Sequence, residues 1–319
     1  MLRPNQRPPQ FDVSIAPALA SAWNYSAGRF RQIETAIGDR LPDFVACIAV
    51  SGSLARMEAH SRSDIDLIIV VDDRNKIVTD AQSCTVFSEV WDRIHALGNL
   101  RPKPDGIFSV CARWSDLVDP SARGRIDESL ATFGHRIQLL MDAQPVSSSD
   151  GFAELQKEIL NWYSEMRLAR MFNEPGPFHW LWQDVQRYWR SLRSRTCWLN
   201  ADDPGKSLTL NVKLRSSRLM LVFAFLKTLQ QSWHSKLPLS ELISAIVMSL
   251  HQTPAERLFR HGEAIGSWDT IWRFLRSASG HPASQLTDDV SGALIHLAET
   301  VEAMIENAGV NHHGQCWLM

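Results

Sequence analysis

Ala49-Val50-Ser51-Gly52-Ser53-Leu54-Ala55-Arg56, followed ten residues after Ser53 by Asp64-Ile65-Asp66-Leu67-Ile68-Ile69-Val70-Val71, decides how this chain reads. Gly52 lets the backbone come close to a phosphate, and Ser53 adds a hydroxyl and an amide at an expected helix start. Asp64 and Asp66 stand at the head of the apolar run Leu67 to Val71, which reads as a buried strand. On a strand, residues i and i+2 share a face, so both carboxylates can grip the same divalent cations. Two-metal phosphoryl-transfer chemistry needs that arrangement. A surface turn with two capping or solvated aspartates is the bland alternative, but carboxylates leading straight into a buried strand need a compensating reason.

Working outward, Pro17 suits the first turn of a helix over Ala18 to Ile37, which ends at Gly38-Asp39-Arg40. Phe44 to Val50 is the first strand, Leu54 to His60 a short helix, and Asp64 to Val71 the second strand. Asn75 to Leu97 reads as a helix, Gly106 to Ala112 as a third strand, and Arg125 to Met141 as a helix carrying Ile126, Leu130 and Phe133. Pro145 to Gly151 has the composition of a linker. Beyond it the signals are helical: Phe152 to Phe172, His179 to Leu199, Leu208 to Trp233, Leu239 to Leu250, Pro254 to His261 and Val290 to Asn307. The expected fold class is α+β. An N-terminal α/β domain with a small mixed sheet (residues 1–146, with 1–11 disordered) precedes an all-helical domain (147–319) that closes over the ligand.

Composition sets limits. A net charge of -2 gives no global basic footprint for long nucleic acid. Five scattered cysteines without CxxC spacing argue against a zinc site or disulfide framework and fit a reducing cytoplasm. Met1 to Phe11 is not apolar enough for a signal peptide, and the run Leu219 to Leu226 is too short to span a bilayer. Most of the twelve tryptophans lie beyond residue 160 and read as helix-contact residues.

A strand, Gly-Ser, a short helix and Asp-x-Asp on the next strand together resemble the DNA polymerase β-like nucleotidyltransferase superfamily, in particular its minimal domains. The resemblance covers about residues 44 to 112. It implies transfer of a nucleoside monophosphate from an NTP, ATP foremost, to a hydroxyl acceptor with release of pyrophosphate, using Mg²⁺ or Mn²⁺. Asp64 and Asp66 are the implied metal ligands, and Gly52 and Ser53 the phosphate cradle. Catalytic relatives add a third carboxylate on a later strand. Asp105 is the candidate, although Pro104-Asp105-Gly106 is also good turn chemistry. A lysine from the helical domain commonly meets the β- and γ-phosphates; Lys213 fits, assisted by Ser217 at i+4, with Arg218 in reserve. On a regular helix Lys213 and Arg218 lie on different faces, so one ligand is not expected to touch both. Arg187 could reach phosphate, with Tyr188 or Trp189 stacking nearby, and Arg56 could serve phosphate or the carboxylate cluster. The acceptor stays open among a small molecule, a protein side chain and an RNA end. A homo-oligomer or protein partner is compatible with the sequence, and a membrane is not indicated. The alternative function is a catalytically silent nucleotide-binding or partner-binding module of a regulatory, antitoxin or defence system.

Overall fold

Val45–Ser51 alternates apolar side chains toward both of its faces, so it is stable only inside a sheet covered on two sides. In the computed structural model it is strand β1, beside β2 (Asp66–Val71), β3 (Ala112–Arg113) and β4 (Ala143–Ser147), in the order β3-β2-β1-β4. The structure describes residues 2–38, 40–104, 106–164, 178–198, 203–233, 235–259, 262, 264–279 and 285–306. β1 runs antiparallel to both neighbours, with Ser51 opposite Asp66 on one side and opposite Ala143 on the other. β2 and β3 are parallel, Val70 facing Ala112. The end of β1 therefore meets the beginnings of β2 and β4 at one end of the sheet.

Alternation along the strands divides the core. Ile48, Val50, Leu67 and Ile69 pack with α1 (Pro17–Ile37) and α3 (Asp80–His95), through Trp23, Phe30, Val90 and Trp91. Cys47, Ala49, Ile68 and Val70 face the other way, into a cluster shared with the short α4 (Trp114–Leu117), α5 (Leu130–Met141), α6 (Ser149–Ser164) and the helices after it. Those are α7 (His179–Trp198), α8 (Pro204–Lys213), α9 (Leu219–Trp233), α10 (Leu239–Ser249), α11 (Pro254–Phe259), α12 (Ala264–Ala278) and α13 (Asp288–Glu306). Leu219 to Leu226 are buried on every side, so α9 runs through the middle of this half. The cluster takes residues from both sides of position 147 without a break. Among the described residues no helix is long and apolar enough to cross a membrane.

The α+β class is as expected, but several elements differ from the sequence reading. The helix after Gly-Ser is a single turn, α2 (Gly52–Ala55), because Met57 takes a left-handed φ of 61° that ends it. The expected strand Gly106 to Ala112 is mostly a 3₁₀ turn over Ile107–Ser109, closed by Ser109 Oγ donating to Gly106 O at 2.6 Å, and only Ala112–Arg113 pairs with β2. The supposed linker holds β4. Pro145 is tolerated there because β4 is an edge strand and needs partners on one side only. α3 begins at Asp80, where Thr79 and Gln82 form a reciprocal cap. α5 begins at Leu130, leaving Ile126 and Leu130 exposed. α12 was not expected; its buried Ile265, Trp268, Ile271, Trp272 and Leu275 have helical spacing that Gly266-Ser267 interrupts in the sequence. The lead-in is held rather than disordered over residues 2–11. Arg7 makes a two-pronged pair with buried Glu256 at 2.6 and 2.9 Å, and Trp23 Nε1 donates to Arg7 O. Asp105, the end of the helix expected over Phe152 to Phe172, and Leu199, His261 and Asn307 at the ends of three others lie outside the described residues.

Candidate active site

At the shared end of β1, β2 and β4 the chain turns sharply through Gly52. Its φ is +72°, and a Cβ there would sit 3.0 Å from Asp66 Oδ2, so only glycine lets the turn lie against that carboxylate. Ile65 is buried between Asp64 and Asp66, and Asp64 is close enough for its charge to act on the Asp66 carboxyl. β2 starts at Asp66 and Asp64 lies just ahead of it, so the pair straddles the strand end. Burial first, and then the charges of Asp142 and Asp64, push the Asp66 carboxyl up to about 6, with Arg56 opposing. Such crowding of like charge is what a divalent cation relieves.

Asp142 is the residue that sequence reasoning missed. It directly precedes β4 and is buried, with burial raising its pKa while Arg56 and the Gly52 amide pull it down. Arg56 Nη1 donates to both Asp142 oxygens, at 2.8 and 2.7 Å, and its Nε donates to Glu58 Oε2 at 2.9 Å. Burial alone would depress the guanidinium; Asp142 and Glu58 outweigh it and hold its pKa above the ordinary value. Burial pushes the Glu58 carboxyl up to about 7 against the pull of Arg56. Trp272 Nε1, from the unexpected helix α12, donates to Glu58 O at 2.9 Å and fixes this loop. The signal for Asp142 was an aspartate immediately ahead of a strand, the same arrangement as Asp64 and Asp66. Pro145 disguised that strand.

The cations come from the helical half. α8 and α9 are joined through a π-helical segment, Leu214–Arg218. Its wider turn brings residues five apart onto one face, so Lys213 and Arg218 adjoin, contrary to the expectation of separate faces. Burial lowers the Lys213 pKa, and repulsion from Arg218 and Arg56 lowers it further, while Asp64 opposes. Arg218 is lowered by burial and by Arg56 and Arg195, with Tyr188 and Asp142 opposing. Arg257 of α11 belongs to the same field: burial lowers it to about 10 against Asp142 and Glu256, and its Nε and Nη1 have no hydrogen-bond partner among the described residues. Ser217 is buried in the π segment and Ser53 is half-buried at the Gly52 turn.

Arg187 is placed elsewhere. Its guanidinium stacks on Phe133 at 3.8 Å and lies 3.4 Å from Glu128 and 3.5 Å from Asp184, while the next residue, Tyr188, is the one that senses Asp142, Arg218 and Arg56. Trp189 is buried in the core. A polar cavity of about 240 Å³ opens beside Asp64, lined by Tyr25, Arg29, His60, Ser61 and Ser63 among others. Among the described residues no three His, Cys, Asp or Glu side chains are grouped closely enough to hold a metal ion by themselves. Hard carboxylate oxygens crowded at Asp64 and Asp66 nevertheless fit Mg²⁺ or Mn²⁺, which commonly take one or two protein carboxylates and complete their shell with substrate phosphates.

A glycine turn laid against paired carboxylates, with Lys213, Arg218 and Arg257 in the same electrostatic field, is an arrangement suited to binding phosphate and a divalent cation. Residues 30–105 match the family model of the nucleotidyltransferase domain, which fits the polymerase β-like nucleotidyltransferase superfamily. The match ends before Asp142 and before every cation of the helical half. A domain of this class carries nucleotide binding and general nucleotidyl-transfer chemistry. Searches of the curated proteins and of the solved structures returned no match.

Proposed function

We propose that the protein is a metal-dependent nucleotidyltransferase that moves the nucleoside monophosphate of an NTP, ATP foremost, to a hydroxyl acceptor and releases pyrophosphate. The observation that carries this reading is Asp66, seated on the Gly52 turn and pushed up to about 6 by its burial first and then by the charges of Asp142 and Asp64. Asp64 and Asp66 would hold Mg²⁺ or Mn²⁺, which supplies charge neutralisation at the phosphate oxygens and a more acidic acceptor hydroxyl. The Gly52-Ser53 turn offers backbone amides and a hydroxyl to the phosphates. Lys213, Arg218 and Arg257 take up the negative charge that develops on the leaving pyrophosphate. Asp142 replaces Asp105 as the third carboxylate in this reading, and takes the acceptor's proton on a carboxylate oxygen once Arg56 releases it. The acceptor is a small molecule, a protein side chain or an RNA end.

A labelled-NTP assay in cell extract tests the reading, with the labelled product identified afterwards. Asp64→Ala combined with Asp66→Ala, and separately Asp142→Asn, should each reduce labelling by at least about a hundredfold in a folded protein. Undiminished labelling in the double variant would overturn the mechanism. The hold of Arg56 on Asp142 favours one second reading, the catalytically silent nucleotide-binding module. Saturable ATP binding with no labelled product under any condition would select it.

A further inference from the structure

Arg56 stands within the nucleotidyltransferase signature, yet its guanidinium points at acids. Both Asp142 oxygens and Glu58 Oε2 occupy it, and the Arg56, Glu58 and Asp142 side chains keep 12%, 6% and 7% of their exposure. Buried ions are stable only when paired, so this guanidinium is the counter-ion that lets Asp142 remain a carboxylate inside the protein. The same contact removes Asp142 from service. With both of its oxygens held by Arg56, the three acids do not make a cation site as they stand.

Two further features bear on what releases it. The Arg56 backbone amide donates to Gly52 O at 3.1 Å, so the residue belongs to the turn that meets the phosphates. Lys213 and Arg218 both repel Arg56, which keeps the guanidinium in a field that an incoming polyanion reverses.

We propose that Arg56 gates the third carboxylate: it pairs with Asp142 in the empty site and turns to the phosphates when a nucleotide arrives, so that Asp142 opens to a divalent cation only in the nucleotide complex. This inference rests on the proposed nucleotidyl-transfer reading and adds an order of binding to it. Arg56 is thus a positioning residue for Asp142. Linkage requires that nucleotide and cation strengthen each other's binding by the same factor, part of which passes through Arg56.

The test is Mn²⁺ binding to the full chain, followed by electron paramagnetic resonance with and without a non-hydrolysable ATP analogue. Wild type should bind Mn²⁺ weakly alone. Arg56→Met should bind Mn²⁺ alone at least about tenfold more tightly, a change of about 1.4 kcal/mol, and should lose most of the analogue's further effect. Arg56→Lys, which cannot hold both oxygens in a planar fork, should fall between them and guards against a failure of the methionine variant to fold. A merely structural arginine would leave Mn²⁺ affinity unchanged or weakened in both variants, and that result overturns the gate. Absence of analogue binding in wild type would instead remove the nucleotidyl-transfer reading, and the gate with it.

Discussion

Replacing Asp66 by asparagine should make the metal-free protein more stable while abolishing nucleotide transfer. Asp66 has its pKa raised from 3.8 to about 6 in the fold. About two units at about 1.36 kcal/mol each put a ceiling near 3 kcal/mol on what the ionised carboxylate costs the native state. Asparagine has the same shape, so the contact with Gly52 survives, but its amide is a buried polar group with incomplete partners, which returns about 1 kcal/mol or more. A net gain of about 1–2 kcal/mol follows, or a melting temperature higher by roughly 2–6 °C. The pH dependence has a definite sign. The folded carboxyl binds its proton more tightly than the unfolded one, so wild-type stability from this group is present below about pH 4 and is lost as pH rises through about 6. The advantage of Asp66→Asn should therefore be full at pH 8 and absent at pH 4. Thermal melts in EDTA at both pH values measure it, and added Mg²⁺ should stabilise wild type alone. No gain at pH 8, or an equal gain at pH 4, would refute the argument that a buried carboxylate crowded by like charge strains this site.

Gly52→Ala places a Cβ 3.0 Å from Asp66 Oδ2 at a φ of +72°; it should cost about 1–2 kcal/mol and lower pyrophosphate release about a hundredfold, and wild-type release would contradict the close approach. Lys213→Ala should weaken ATP binding by about tenfold with an unchanged melt, whereas Arg187→Ala, which cuts α7 from Glu128 and Phe133, should lower the melt and spare ATP affinity; titration calorimetry showing the opposite pattern would reverse their assignments. His135 is buried in α5 with its pKa lowered to about 4, so the stability it confers is present above pH 6.5 and lost as pH falls toward 4, by about 3 kcal/mol in all. His135→Gln should flatten that acid limb in denaturant titrations, and a limb of unchanged depth would place the loss elsewhere.

What the sequence disclosed was local, and what it concealed depended on distant pairing. Gly52, Asp64 and Asp66 could be read because a tight turn and a buried strand leave short-range marks: a glycine before small residues, and acids before an unbroken apolar run. Asp142 could not be read the same way. Its strand is short and contains a proline, and what makes it a strand is the edge of β1, nearly a hundred positions earlier. The adjacency of Lys213 and Arg218 was hidden for a different reason, since a regular helical period separates them and only the π segment reunites them. Arg187 looked equivalent to Arg218 by composition; tertiary neighbours alone assign the two to different work. α12 was the one element whose pattern was present and went unread, and it is the helix whose Trp272 braces the Glu58 loop.

The unbroken apolar cluster running from Ile68 and Val70 into α9 limits how this molecule can admit its substrates. Swinging the helical half away would wet Ile68 and Val70, both wholly enclosed on the sheet face it covers, at roughly 1.5–3 kcal/mol for each side chain. Wide clamshell motion is therefore a costly route of entry. Side-chain rearrangement at the rim costs less, which favours ligands threaded in piecemeal over ones swallowed whole.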